Sequence, residues 1–91
     1  MNDDRLENED QRKVIGHIYS VLSRRGKDSR YHFKSREIAK ELGLSSNELG
    51  DALQHISTVT KESPIYVEHG AGVIVEQWTS GTPATWLARI A

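Results

Sequence analysis

Phe33-Lys34-Ser35-Arg36-Glu37-Ile38-Ala39-Lys40-Glu41-Leu42-Gly43-Leu44-Ser45-Ser46-Asn47-Glu48-Leu49-Gly50-Asp51-Ala52-Leu53 is the stretch whose reading decides the fold. It reads as two short helices joined by a tight turn, the spelling of a helix-turn-helix. Ala39 is small where the helices must cross closely. Gly43 stands where the chain leaves the first helix in a left-handed conformation that a side chain would resist. Ser45 starts the second helix, and Glu48, three residues on, completes a capping box. Ile38, Leu42, Leu44, Leu49 and Leu53 supply the apolar seam between the two.

Upstream, Val14, Ile15, Ile18, Tyr19, Val21 and Leu22 recur at helical spacing and predict a helix over about residues 9–25. Acids at its start and Arg24-Arg25 at its end suit the helix dipole, and Gly26 stops it. Tyr31-His32-Phe33 alternates as a short strand, and Ser35 is expected to cap the helix over about 35–42. The next helix runs from about Ser46 to Thr60, with Leu49, Ala52, Leu53 and Ile56 as its buried stripe and Pro64 near its end. Val73–Trp78 and Ala84–Ile90 predict a closing hairpin across the turn formers 79–83, with Trp78 near Trp86. Ile65-Tyr66-Val67 either extends the sheet or lies in the connection through His69-Gly70-Ala71-Gly72. Residues 1–8 are acidic, lack periodicity and are expected to form a disordered tail, leaving one domain at 9–91. The class is α+β, in the order α-β-α-α-β-β: a three-helix core plus a C-terminal hairpin.

With 91 residues there is room for one small domain. No apolar run approaches the ~20 residues of a membrane helix, and the first residues do not spell a signal peptide. There is no cysteine, which removes disulfides and Cys-based zinc sites. A cytoplasmic location is expected. The net charge of −1 conceals segregation. Residues 11–40 carry nine bases (Arg12, Lys13, Arg24, Arg25, Lys27, Arg30, Lys34, Arg36 and Lys40) against Asp28 and Glu37, a local +7 between two acidic segments. Such a segment can attract a polyanion although the chain as a whole is near neutral.

Ser35-Arg36-Glu37-Ile38-Ala39-Lys40-Glu41-Leu42-Gly43-Leu44-Ser45 and the element order around it make residues 9–90 resemble the winged helix-turn-helix superfamily, in particular its short single-domain archaeal-type proteins. The resemblance implies a transcription regulator that binds double-stranded DNA, with the second motif helix in the major groove. Base contacts then fall to Ser45, Ser46, Asn47, Gly50, Asp51 and Gln54. Asn47 and Gln54 can bond adenine in pairs, and Gly50 admits close approach. Nothing on that face is basic, while Glu48 and Asp51 oppose phosphate. The cations must come from Lys34, Arg36 and Lys40, with Ser35 and Arg30, at the start of the first motif helix. The wing would be Ser80, Gly81 and Thr82, which offers amides and hydroxyls but no cation.

The same missing cations keep a second function open, a protein-interaction module using the acidic helix or the hairpin. Homodimerisation through the first helix or a sheet edge is compatible with either. Trp78, Trp86, Tyr19, Tyr31 and Phe33 are assigned to core or interface, not to base stacking; exposure of both tryptophans on one face would mark a partner site. His17, His32, His55 and His69 show no metal-ligand spacing, and His69-Gly70-Ala71-Gly72 does not open a helix as a dinucleotide loop would. No catalytic constellation is spelled, so no enzyme, cofactor or metal is expected.

Overall fold

A computed structural model describes residues 4–26, 28–68, 71–79 and 84–91. The elements are α1 (Glu9–Arg25), β1 (Arg30–Lys34), α2 (Ser35–Leu42), α3 (Ser46–Glu62), β2 (Ile65–Glu68), β3 (Ala71–Thr79) and β4 (Thr85–Ile90). The strands form one antiparallel sheet in the order β1-β4-β3-β2. The protein is therefore an α+β domain of three helices and a four-stranded sheet. The open question over Ile65–Val67 is answered: these residues form β2, at the sheet edge beyond β3.

The helices arise where local signals agree. Asn8 caps α1 by accepting the Gln11 N–H (3.0 Å), and Gly26, at φ 108°, ends it. Gly43 takes the left-handed conformation at φ 68°, and the Leu44 N–H crosses the turn to the Ala39 carbonyl (3.0 Å). The α3 capping box is complete. The cap of α2 differs from expectation. Lys34 holds that position without a side-chain bond, and Ser35 is the first helical residue. The reason is that β1 runs into α2 with no intervening loop. The Ser35 N–H, orphaned at the helix start, donates to the Ala84 carbonyl at the root of β4 instead (3.4 Å).

Val14, Ile15, Ile18 and Leu22 of α1, Ile38 and Ala39 of α2, and Leu49, Leu53 and Ile56 of α3 pack on Phe33, Val73, Val75, Trp86 and Ala88 of the sheet. The helices thus cover one sheet face. The other carries His32, Leu87, Glu76, Ile74, Arg89 and Trp78. The register sets this face, since His32 pairs with Leu87, Leu87 with Glu76, and Ile74 with Arg89.

Two expectations are corrected. The stretch 4–8 is not a disordered tail. Leu6 is 3% exposed and belongs to the core, and the Arg5 guanidinium donates to the carbonyls of Ser63 (3.1 Å) and Pro64 (2.8 Å). The Nε2–H of His55 donates to the Arg5 carbonyl (2.6 Å). One apolar side chain and one arginine thereby strap the segment across the end of α3. The tryptophans also do not pair. Trp86 is buried opposite Phe33 and Gln77, whereas Trp78 is 60% exposed. The register explains this: Gln77, not Trp78, lies opposite Trp86, so alternation puts the two rings on opposite faces, and a bulge follows between Gln77 and Thr79. The extra residue in β3 leaves Trp78 and Thr79 together on the outer face, where the Thr79 and Thr85 hydroxyls meet at 2.6 Å.

Gly72 fixes how closely β2 lies on β3. A Cβ there would meet the Pro64 Cβ at 2.7 Å and the Tyr66 ring at 3.1 Å. Gly72→Ala is therefore expected to destabilise the domain by about 1–3 kcal/mol through overpacking, read as a lower Tm. A Tm equal to the parent's would show that Pro64 moves aside freely.

Candidate functional site

Polar residues on α3 separate cleanly from its apolar stripe. Asn47, Asp51, Gln54 and Thr58 are exposed at helical spacing, opposite buried Leu49, Leu53, Ile56 and Thr60. Ser46 is exposed beside them, and Gly50 is half-buried. Ser45 and Glu48 are engaged with each other. The Ser45 hydroxyl accepts the Glu48 N–H (3.1 Å), and the Glu48 carboxylate accepts the Ser45 N–H (2.9 Å). The backbone bond from Ser45, and then its side chain, hold the Glu48 carboxyl below the usual carboxylate range. As pH falls through that lowered value the carboxylate is protonated and the support of the box is lost. Ser45 still has its hydroxyl proton to offer an outside acceptor.

The basic segment divides into two parts. Arg24 and Arg25, at the end of α1, are engaged locally. Arg24 donates to the Ser20 carbonyl (3.2 Å), and Arg25 donates to the Arg30 carbonyl (3.4 Å) with its guanidinium 5.0 Å over the Tyr31 ring. Both line a cleft of about 450 Å³ that Glu37 and Glu41 of α2 line as well. Burial raises the Tyr31 phenol above its ordinary pKa, with Glu37 adding to the rise and Arg25 opposing it. Arg30, Lys34, Arg36 and Lys40 are all exposed, and no ion pair involving them is found among the described residues. Lys34 and Arg36 stand at the start of α2 together with Glu37, whereas Arg30 begins β1 and Lys40 lies in the last turn of α2.

That start lies beside the hairpin root. Lys34 pairs in register with Thr85, and Ser35 bonds Ala84. Ser80, Gly81 and Thr82 lie outside the described residues, as do Lys27, His69 and Gly70.

Sequence reasoning missed Trp78 and His32. Their rings meet edge to face at 5.5 Å and 81° on the outer sheet face, against a cleft of about 250 Å³ shared with Lys34, Glu37 and Thr85. Trp78 shares this face with Ile74 and Glu76 by the alternation of β3; what the residue pattern does not announce is the strand order that brings β1, and with it His32, to its side of the sheet. Of the other histidines, His17 lines the α1–α2 cleft and His55 holds Arg5. Among the described residues no group of three or more His, Cys, Asp or Glu is placed to hold a metal ion, and no helix is long and apolar enough to cross a membrane.

The fold and the surface together define a small α+β domain with a polar face on α3 and exposed cations along β1 and α2. By sequence the chain matches the family described as "Domain of unknown function (DUF7123)" over residues 1–89, and it belongs to that family. No curated protein matches it. No solved structure matches it.

Proposed function

We propose that the domain is a winged helix-turn-helix that binds duplex DNA, as a small transcription regulator does. The observation that carries this is the join between Ser35 and Ala84. It sets the exposed, unpaired cations Lys34 and Arg36 at the root of the β3–β4 hairpin, in the helix that the Gly43 turn connects to the polar face of α3. In this docking mode, α3 enters the major groove and the start of α2 meets the phosphates. Asn47 and Gln54 read bases, Ser46 and the Ser45 hydroxyl contact phosphate or base edges, and half-buried Gly50 allows close approach. Asp51 accepts from a cytosine amino group or is selected against. The helix N-terminal amides of α2 add to the cations.

Anisotropy titration of labelled duplexes across a salt series tests the reading. The protein's own upstream DNA is expected to be retained at physiological salt, while mixed-sequence duplex is released. Equal release of both as salt rises would refute a regulator. It would favour the second reading, a protein-interaction module. That reading rests on one observation: the exposed face of α3 carries Glu48, Asp51 and Glu62 against a single base, Lys61.

A further inference from the structure

Trp78 is the largest apolar side chain that this fold leaves in solvent, at 60% exposure, on the outer face that it shares with Ile74 and Glu76 by the alternation of β3. Its ring meets the His32 ring near-perpendicularly, at 81°. A planar surface is left beside a cleft of about 250 Å³. That volume is smaller than the ~300–1,000 Å³ of a pocket enclosing a drug-sized ligand. It suits one flat ring with one side open.

The charges around the cleft are ordered. Lys34 lines it, on the same residue pair that joins β1 to the hairpin root, and Arg30 is exposed on the same strand. Glu37 lines the cleft from α2 and repels phosphate from its interior. A ligand that satisfies this arrangement has an uncharged planar ring attached to an anionic backbone. We propose that Trp78 and His32 form a stacking site for an unpaired base of a single-stranded nucleic acid, with Lys34 on the adjoining phosphate. Base–aromatic stacking tolerates any base and needs no groove. Lys34 belongs to this site and to the duplex surface above, so the two are continuous, and a duplex carrying a single-stranded extension fills both. The proposal extends the duplex reading but does not depend on it, because a free single strand uses the stacking site alone.

The probes are a blunt labelled duplex, the same duplex with an eight-nucleotide single-stranded extension, and the free strand. For the full chain, the extension is expected to tighten binding by about tenfold or more, in line with one stacked base. Trp78→Ala should remove that gain and weaken the free strand equally, leaving the blunt duplex within about twofold. Trp78→Phe should keep most of the gain. Because Trp78 lies outside the core, thermal melts of the variants are expected to match the parent. An extension that adds nothing, or a gain that survives Trp78→Ala, overturns the stacking site. Absence of blunt-duplex binding, with the free strand still dependent on Trp78, would remove the duplex reading and leave this one standing.

Discussion

Replacing Lys34 and Arg36 together by glutamate is expected to reduce duplex affinity roughly a hundredfold at physiological salt and to flatten the salt dependence by about two contacts. Each cation set against a phosphate releases about one counterion, and each reversal puts a repelling charge where the attraction was. Unfolding cannot mimic the result. Both side chains are exposed, and Lys34 is the N-cap of α2 with Arg36 in its first turn. Glutamates there face the positive end of the helix dipole and favour the helix. The double variant should therefore melt no lower than the parent while losing DNA, as seen by anisotropy and by circular dichroism on one preparation. Asn47→Ala or Gln54→Ala should behave differently, relaxing the preference among sequences and leaving the salt slope in place. If the double reversal leaves duplex affinity unchanged, the phosphates do not lie at the start of α2, and the placement of the interface is wrong.

This site was partly legible in the sequence because it is built from local signals. The capping box, the left-handed glycine and the polar stripe of α3 are each set by residues within four positions of one another, and all are present in the structure. The same holds for the core stripes of α1 and α3. What the sequence concealed is set by distant parts of the chain. Leu6 reads as an isolated apolar residue among acids. Its burial depends on Arg5 reaching the Ser63 and Pro64 carbonyls, 58 and 59 residues away. β2 has only four residues, too few for a periodicity, and it exists because Gly72 lets Pro64 and Tyr66 approach β3. The tryptophans read alike as strand aromatics, yet the register that pairs Gln77 with Trp86 separates their fates, and one extra residue in β3 turns Thr79 outward beside Trp78. A bulge of this kind follows from how two strands accommodate each other, so neither strand's sequence displays it alone.

The charge pattern shows the same division. Nine bases in 30 residues suggested a broad basic surface. Folding sets two of them, Arg24 and Arg25, across a cleft from Glu37 and Glu41, because α1 and α2 pack side by side. The arithmetic of the segment was sound, but the potential belongs to the arrangement. Lys34 and Arg36 are left at a helix start, where backbone amides also favour an anion.

Thr60→Val is expected to cost about 2–4 kcal/mol, although it preserves volume and adds apolar surface at a position only 4% exposed. Thr60 replaces a missing strand. β2 begins at Ile65, opposite Val73, so beyond Val73 the outer edge of β3 has no strand beside it. Pro64, which lacks an N–H, precedes Ile65, and the chain has come from α3. The next inward-facing residue of β3, Val75, would present an unpaired N–H and carbonyl inside the core. The Thr60 hydroxyl satisfies both. It accepts the Val75 N–H (3.1 Å) and donates to the Val75 carbonyl (2.9 Å). Valine leaves both groups buried without partners, and each such group costs about 1–3 kcal/mol. For a domain of this size the Tm should fall by roughly 10–25 °C. Thr60→Ser keeps the hydroxyl and loses one methyl, so it should cost only about 1 kcal/mol. The expected order of stability, threonine above serine above valine, runs against hydrophobicity, and denaturant melts of the three proteins measure it directly. A valine variant at least as stable as the serine one would mean that the Val75 groups find other partners, and the clamp between α3 and β3 would then be packing alone.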